Sequence, residues 1–349
     1  MAPFAARFAA LFGSPASLLG TVLLLALAGV VLPDAWRWAV ADAHWRADWA
    51  ACRAPGAGAC WGVVAEKLRF IVFGRYPYAE QWRPLVATLL LLAALLLAGL
   101  RAGRTRGAWL LGAVLLAGCW LLLKGGVAGL STVDTDRWGG LPLTVLLSVL
   151  SIAMAFPLAV LLALGRQSGL PAVRALCTVF IETLRGLPLV SVLFMAAFMA
   201  PLLMPAGTTV DVLYRVLLGI TLFSAAGLAE VVRGGLQGVP VGQLQAALAL
   251  GMSYWQLQLR VVLPQALSWA TPGIVNSFVG IFKDTSLITV VSLYELTGSL
   301  GLALDSDVNW RPYKIEGYVF IAALYFAFCF SISRYGVWLE RRADRPYKA

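Results

Sequence analysis

The sequence predicts an all-α integral membrane protein with about eight transmembrane helices. Hydrophobic residues make up 60% of the 349-residue chain and charged residues only 13%, whereas soluble domains average about 45–50% and about 25%. Eight apolar stretches approach the roughly 20 residues that span a bilayer as a helix. The stretches run near 17–33, 84–100, 108–124, 141–164, 187–204, 212–230, 271–292 and 317–335.

An even number of spans places both termini on one side of the membrane. Lys and Arg are more numerous in the segments on that side than in the three shorter loops opposite, which predicts cytoplasmic termini. The long loop 34–83 carries further basic residues on the outside, but long loops follow this rule poorly. The net charge of +10 therefore reflects topology, since no basic stripe indicates nucleic-acid binding.

Residues 1–140 are predicted to form an N-terminal extension with three spans and a periplasmic loop, 34–83. Tryptophans crowd this loop, and such residues mark the lipid–water interface. Pro and Gly between Cys52 and Cys60 favour a turn, so the two thiols can form a disulfide in an oxidising compartment or remain free. A zinc site is not expected, because His44 is the only histidine.

Residues 141–338 hold the remaining five spans, and 339–349 form a predicted cytoplasmic tail. A polar, patterned segment at 238–268 separates the third and fourth spans of this core. It is too polar to span the membrane and is predicted to lie at the cytoplasmic surface.

The pattern of this segment predicts a helix–turn–helix. Pro240 can open the first helix, where its missing N–H has no partner to lose. Gly251 can end that helix in a left-handed cap, and Ser253 with Gln256 forms a capping box for a second helix. Pro264 is expected to stop the second helix. Ala246 and Ala247 are expected to give the first helix a small-residue patch for a partner.

This pattern resembles the EAA loop of ABC-importer permeases, the element that docks on the cytoplasmic ATPase. The family spacing is Glu-Ala-Ala, three residues, Gly, nine residues, Ile, one residue and Leu-Pro. Matching positions here are Ala246, Ala247, Gly251, Leu263 and Pro264, with Val261 in place of Ile and Gln245 in place of the leading Glu. The substitution at Gln245 implies docking through shape rather than charge. An ordinary amphipathic connector remains the alternative interpretation.

Ionisable residues inside a predicted span are costly, so they usually face a bundle interior or a watery path. Lys283-Asp284-Thr285-Ser286 begins about 12 residues into the seventh span, near the expected middle of the membrane. Asn276 lies two helical turns before Lys283 on the same face. These residues are candidates for a substrate pathway, and a structural charge pair is the alternative.

Two further pairs are candidates for ion pairs, and the second of them fits either an internal ion pair or a contact near the ATPase. Glu182 and Arg185 are three residues apart before Gly186 and Pro188, and Glu230 and Arg233 are three apart at the inner end of the sixth span. The first segment resembles the Glu-x-x-Arg-Gly-x-Pro motif of polar amino-acid permeases of the histidine and glutamine type. The segment from Asn276 to Leu287 resembles the Asn…Lys-Asp-Thr-Ser-Leu segment of the same subfamily.

The sequence contains no Gly-x-x-x-x-Gly-Lys-Ser/Thr motif for phosphate binding. The resemblance implies a non-enzymatic permease subunit of an ATP-driven amino-acid importer in a Gram-negative inner membrane, most similar to the larger permeases of general L-amino-acid importers. It implies a five-helix permease core and a heterodimer with a second permease. It also implies a periplasmic amino-acid-binding protein and a cytoplasmic ATPase dimer that holds ATP and Mg, with no cofactor, metal or catalytic residue in this chain.

Two alternatives remain open. One is an integral-membrane enzyme, such as a lipid-linked transferase, that uses acidic outer-loop residues; these are Asp134, Asp136, Asp305 and Asp307. The other is a permease of the same importer class for a different small solute.

Overall fold

The computed structural model describes residues 14–99, 106–127, 129–205 and 207–343, and most of these residues are helical. The α-helices are α1 Pro15–Trp36, α2 Trp49–Cys52, α3 Gly62–Phe73, α4 Trp82–Gly99, α5 Arg106–Lys124, α6 Gly140–Arg166, α7 Pro171–Gly186, α8 Leu189–Phe194, α9 Val212–Gly238, α10 Val241–Ala249, α11 Tyr254–Leu257, α12 Leu263–Asp284, α13 Leu296–Asp305 and α14 Lys314–Ala343. π-helical turns cover Arg37–Ala41, Met195–Met199 and Gln258–Val262, and 3₁₀ turns cover Tyr78–Glu80, Thr135–Arg137, Ala200–Leu203 and Thr285–Val291. The all-α prediction is confirmed.

Six helices of the described residues are long and apolar enough to cross a membrane. They are Pro15–Ala41, Tyr78–Leu97, Gly140–Arg166, Val212–Gly238, Tyr254–Val291 and Lys314–Arg341. A seventh candidate is the pair Pro171–Gly186 and Leu189–Leu203, which is bent by 105°. The predicted span 108–124 corresponds to a shorter apolar helix, Leu110–Lys124. By length and composition alone, the described residues therefore hold six candidate spans, or seven with the bent pair, and the exact count of about eight stays a prediction.

The bend after α7 follows from the local sequence. Leu187 precedes Pro188 and is extended, with φ −98° and ψ 144°, because a following proline disfavours the helical conformation. Pro188 is also extended and precedes α8. The predicted span at 187–204 is thus the second arm of a broken helix.

The chain divides into two compact units. The first contains residues 1–68 and 304–320, and the second contains 69–303 and 321–349. This division differs from the predicted boundary at residue 140, and the functional subdivision at that residue stays a prediction. Parts of the predicted extension and tail, residues 1–13, 100–105 and 344–349, lie outside the described residues.

The second unit contains the main apolar core. Small residues let α6 and α9 pack closely: Ala155 and Ala159 on α6 and Ala225 and Ala229 on α9 are fully buried. α12 lies against α9 on the same core. The segment α10–α11, which lies between α9 and α12 in the chain, packs on α6, α9 and α12.

Candidate functional site

The turn after α10 is closed by backbone hydrogen bonds. Gly251 has φ +73°, and its N–H donates to the Leu248 carbonyl at 2.9 Å. The N–H of Met252 donates to the Ala247 carbonyl at 3.2 Å. These two bonds form the Schellman arrangement that a left-handed glycine allows at a helix end. The predicted left-handed cap at Gly251 is therefore present.

The second half of the segment differs from the prediction. The Ser253–Gln256 capping box is present, with the Ser253 N–H donating to Gln256 Oε1 at 2.9 Å. Pro264, however, does not stop the helix that begins at Tyr254. A π-helical turn, Gln258–Val262, shifts the hydrogen-bond register, and Pro264 falls in the first turn of α12, where a missing N–H costs nothing. The helix continues to Val291.

The two alanines of α10 face different ways. Ala247 is 4% exposed and belongs to an apolar cluster with residues of α6, α9 and α12, whereas Ala246 and Gln245 are exposed. Adjacent helix positions point about 100° apart, which explains the split. The predicted two-alanine patch is therefore wrong: Ala246 faces outward, and Ala247 anchors the helix.

Large apolar side chains dominate the exposed face of the docking segment, which we define as residues 240–264. Leu248 is 58%, Leu250 82% and Trp255 59% exposed. Leu263, by contrast, is buried against the core. A contiguous exposed apolar patch on a protein surface is typical of an interaction site.

The predicted pathway residues lie nearer a helix end than expected. Because the helix begins at Tyr254, Lys283 and Asp284 sit close to the switch from α12 into the 3₁₀ turn Thr285–Val291. Asn276 and Lys283 are both exposed, as expected for residues on one face, and Asp284 is half-buried.

Thr285 and Ser286 differ in exposure from these residues. Thr285 is fully buried, and its hydroxyl donates to the Phe282 carbonyl at 2.7 Å. Ser286 is half-buried. The structure therefore does not bring all five candidates to one surface, and the exposed pair Asn276 and Lys283 is the polar stripe on α12.

Glu295, which the sequence analysis did not single out, is the most connected buried carboxylate in the described part of the second unit. It is fully buried just before α13. Its Oε1 accepts from the N–H groups of Thr297 at 2.7 Å and Gly298 at 3.1 Å. Its Oε2 accepts from the Tyr325 hydroxyl at 2.7 Å and the Thr144 hydroxyl at 3.1 Å. One carboxylate thus joins α6, α13 and α14.

The surroundings of Glu295 also hold the 3₁₀ turn. The Thr289 hydroxyl donates to Glu295 Oε1 at 3.2 Å, and Ser292 closes this turn in the left-handed conformation, φ 63°. Burial raises the pKa of Glu295, and the hydrogen bonds oppose that shift. An acidic residue just before a helix indicates in the sequence where that helix begins, but it does not indicate that the carboxylate is buried.

The predicted ion pairs belong to a larger network. Arg233 contacts Glu230 at 2.7 Å, as expected, whereas Arg185 lies 3.9 Å from Glu182. Arg166, at the end of α6, joins the two carboxylates: its guanidinium lies 2.5 Å from Glu230 and 2.7 Å from Glu182. The three-residue spacing predicted the pairs within one helix. It did not predict that Arg166, which is far away in the chain, joins them.

The first unit contains its own polar contacts. Cys52 and Cys60 form a disulfide, with 5.6 Å between the Cα atoms, and the Cys60 N–H donates to the buried Glu316 carboxylate at 3.0 Å. Lys67 contacts Asp307 at 2.7 Å.

These contacts affect two of the acidic residues that the enzyme alternative requires. The hydrogen bond from Lys67 lowers the pKa of Asp307, and the hydrogen bond from Lys314 lowers that of Asp305. Both carboxylates are therefore paired with cations, which does not favour a shared-proton acid–base pair.

Comparison with known proteins gives consistent results. Residues 155–345 match the model of the family described as binding-protein-dependent transport system inner membrane component. The chain is 42% identical over 340 residues to the inner membrane amino-acid ABC transporter permease protein YhdY of Escherichia coli, covering 95% of this chain and 90% of that protein. It is 35% identical to the glutamate/glutamine/aspartate/asparagine transport system permease protein BztC of Rhodobacter capsulatus, covering 83% and 80%.

A solved structure is also similar. The crystal structure of an amino acid ABC transporter with histidines contains a chain that is 27% identical, with a TM-score of 0.52. The match covers 58% of this chain and 92% of that chain. The common part therefore includes nearly all of the smaller protein.

Proposed function

Since the chain belongs to the family of binding-protein-dependent transport system inner membrane components, we propose that it is a permease subunit of an ATP-driven amino-acid importer. The observation that carries this proposal is the docking segment, which combines the family spacing with an anchored inner face and an apolar exposed face. The names of the relatives YhdY and BztC favour amino acids as the substrate class. Neither the lipid-linked transferase nor a different solute has comparable support.

The energy source in this proposal is a separate ATPase dimer. The chain contains no phosphate-binding motif of the usual kind, so ATP and Mg would be bound by the partner chains. The exposed Leu248, Leu250 and Trp255 are the residues that we expect to enter a cleft on the ATPase. Gln245 carries no charge, so the docking would depend on shape.

The substrate pathway in this proposal involves a second permease subunit. Asn276 and Lys283 expose polar groups on α12, and polar groups in a membrane span usually face protein or water rather than lipid. A zwitterionic amino acid needs a cationic and an anionic partner, which Lys283 and Asp284 can supply. A heterodimer would place these groups at the subunit boundary, and alternating access would expose them to each side in turn.

The proposed topology places the termini and the docking segment in the cytoplasm of a Gram-negative cell. The disulfide of the first unit would then lie in the periplasm, an oxidising compartment. A periplasmic amino-acid-binding protein would deliver the substrate on that side, in keeping with the description of the family.

Gly251→Asp tests the docking assignment. Nothing lies within 4 Å of a Cβ added at Gly251, so the change acts through the left-handed backbone and the added charge alone. We expect normal membrane insertion but loss of co-purifying ATPase and of amino-acid uptake. Gly242→Asp is the matched control, because Gly242 is also exposed with open space but is helical, in the first turn of α10.

The two variants separate shape from charge. ATPase association that is lost in Gly251→Asp and kept in Gly242→Asp supports docking through the shape of the turn. Normal assembly and uptake in Gly251→Asp would contradict the assignment. Uptake is measured with labelled amino acids in cells that lack the native gene, and insertion by membrane fractionation.

A further inference from the structure

Glu230 and Arg166 lie at the centre of an ion-pair network that links three helices. Glu230, on α9, is 15% exposed and has three arginines around it: Arg166 at 2.5 Å, Arg233 at 2.7 Å and Arg185 at 3.8 Å. Arg166, on α6, also contacts Glu182 on α7 at 2.7 Å. Pairs with this degree of burial are less screened by salt than fully exposed ones.

This network is adjacent in the chain to the cluster that anchors the docking segment. Ala247 packs in an apolar cluster with Leu164 of α6 and Val232 of α9. Leu164 precedes Arg166 by two residues, and Val232 follows Glu230 by two. The same ends of α6 and α9 therefore carry both the apolar cluster that contacts the docking segment and the ion pairs.

The helices on either side of the docking segment are interlocked. A Cβ added to Gly235 of α9 would lie 2.3 Å from the Ala266 carbonyl oxygen of α12. A Cβ on Gly273 of α12 would lie 2.7 Å from the side chain of Val231. Such close backbone packing leaves little room for sliding. We therefore expect α9, the docking segment and α12 to move as one body.

α7 is attached to this body differently. Most of its residues are exposed, and Ile181 is its one buried residue. It packs on both α6 and α9, and it meets α6 where Gly165 lies against the Cys177 side chain. Its ionic links to the rest of the unit are those of Glu182 and Arg185. Beyond Gly186 the chain bends by 105° into α8, so a movement of α7 would be passed to that arm.

We propose that Glu230 and Arg166 are positioning residues that couple movement of the docking segment to α7 and, through it, to the bent arm that begins at α8. The proposal rests on the proposed function, because it concerns how ATPase movement reaches the membrane helices. The ion pair of Glu230 with Arg166 links α9 to α6, and the contact of Arg166 with Glu182 links α6 to α7. Loss of this link would let the ATPase turn over without moving the bent arm.

The experiment measures ATP hydrolysed per amino acid transported by the complete complex in proteoliposomes. Arg166→Gln is the first variant, because Glu230 keeps its contact with Arg233 and is not left unpaired. Glu230→Gln and the double variant complete a cycle. Glu340→Gln, a carboxylate outside the network, is the control. A purely structural defect would lower hydrolysis and transport together and leave the ratio unchanged.

We expect the ratio to rise about fivefold or more in both single variants, which is the lower end of measured coupling between sites. We also expect the double variant to be no worse than either single one, because the two residues act as one unit. A ratio equal to wild type in Arg166→Gln and Glu230→Gln would overturn the coupling role alone. Absence of amino-acid uptake by the wild-type complex would overturn the proposed function, and this proposal with it.

Discussion

Replacing Glu295 by alanine is expected to destabilise the second unit more than any conservative change at this position. The alanine variant leaves the N–H groups of Thr297 and Gly298 without the acceptor that they have at 2.7 and 3.1 Å. Each buried donor left unpaired costs about 1–3 kcal/mol, so the two together cost about 2–6 kcal/mol. The hydroxyls of Thr144 and Tyr325 have other acceptors nearby, the Gly140 carbonyl and the Thr297 hydroxyl.

Glutamine at the same position should cost about 1 kcal/mol or less, because the network can rearrange around it. The amide oxygen can take the place of Oε1 and accept both N–H groups. The amide nitrogen can donate to the hydroxyls of Thr144 and Tyr325, since a hydroxyl accepts as well as donates. The structure therefore predicts the order of stability wild type, Glu295→Gln, Glu295→Ala.

The assay is thermal unfolding of the purified protein in detergent, followed as the fraction that remains monodisperse at a fixed heating rate. One kcal/mol corresponds to about 2–4 °C for a unit of 150–250 residues. The alanine variant should therefore lose about 4–24 °C and the glutamine variant about 4 °C at most. Equal midpoints for Glu295→Ala and wild type would refute the role of Glu295 as the link among α6, α13 and α14.

Three other outcomes are expected. Gly235→Ala should destabilise the protein, because its Cβ meets the backbone of α12, whereas Gly234→Ala has open space and should be neutral or stabilising by about 0.5–1 kcal/mol in the same thermal assay. The hydrogen bond from Lys67 lowers the pKa of Asp307. The stability that the Asp307 carboxylate contributes is therefore present above its ordinary pKa of 3.8 and is lost as the pH falls through the lower pKa of the folded state. Partial burial lowers the pKa of Lys67, but its hydrogen bonds to carboxylates outweigh burial, so the pKa is raised overall. The Lys67 cation is therefore lost only above pH 10.5. The hydrogen-exchange protection factors of the first unit should therefore fall below about pH 4 in wild type and not in Asp307→Asn; a fall in both would contradict the pairing. Lys283→Met should reduce uptake while expression is unchanged, and unchanged uptake kinetics would leave this residue only a structural role.

The local features of the docking segment were predictable because they depend on residues that are close in the chain. A left-handed turn needs glycine, which Gly251 provides, and a capping box needs a fixed three-residue spacing, which Ser253 and Gln256 provide. Pro264 shows where local reasoning failed. A proline ends a helix only if its missing N–H is needed, and the π-helical turn before it removes that need.

The ionic network shows a second kind of failure. Glu230 and Arg233 are three residues apart, so their pairing follows from helix geometry. Arg166 pairs with Glu230 over a separation of 64 residues and with Glu182 over 16. No spacing rule connects residues so far apart, because their distance depends on how α6, α7 and α9 pack.

The sequence by itself determined that this is a helical membrane protein with a glycine-capped turn and a capping box within residues 240–264, because hydrophobicity, helix caps and turn chemistry are local properties of the chain. The tertiary structure decided what the side chains do. It buries Ala247 and exposes Ala246, and it makes Glu295 the common acceptor of three helices. These outcomes depend on which helices lie side by side, and close packing of distant segments fixes that arrangement.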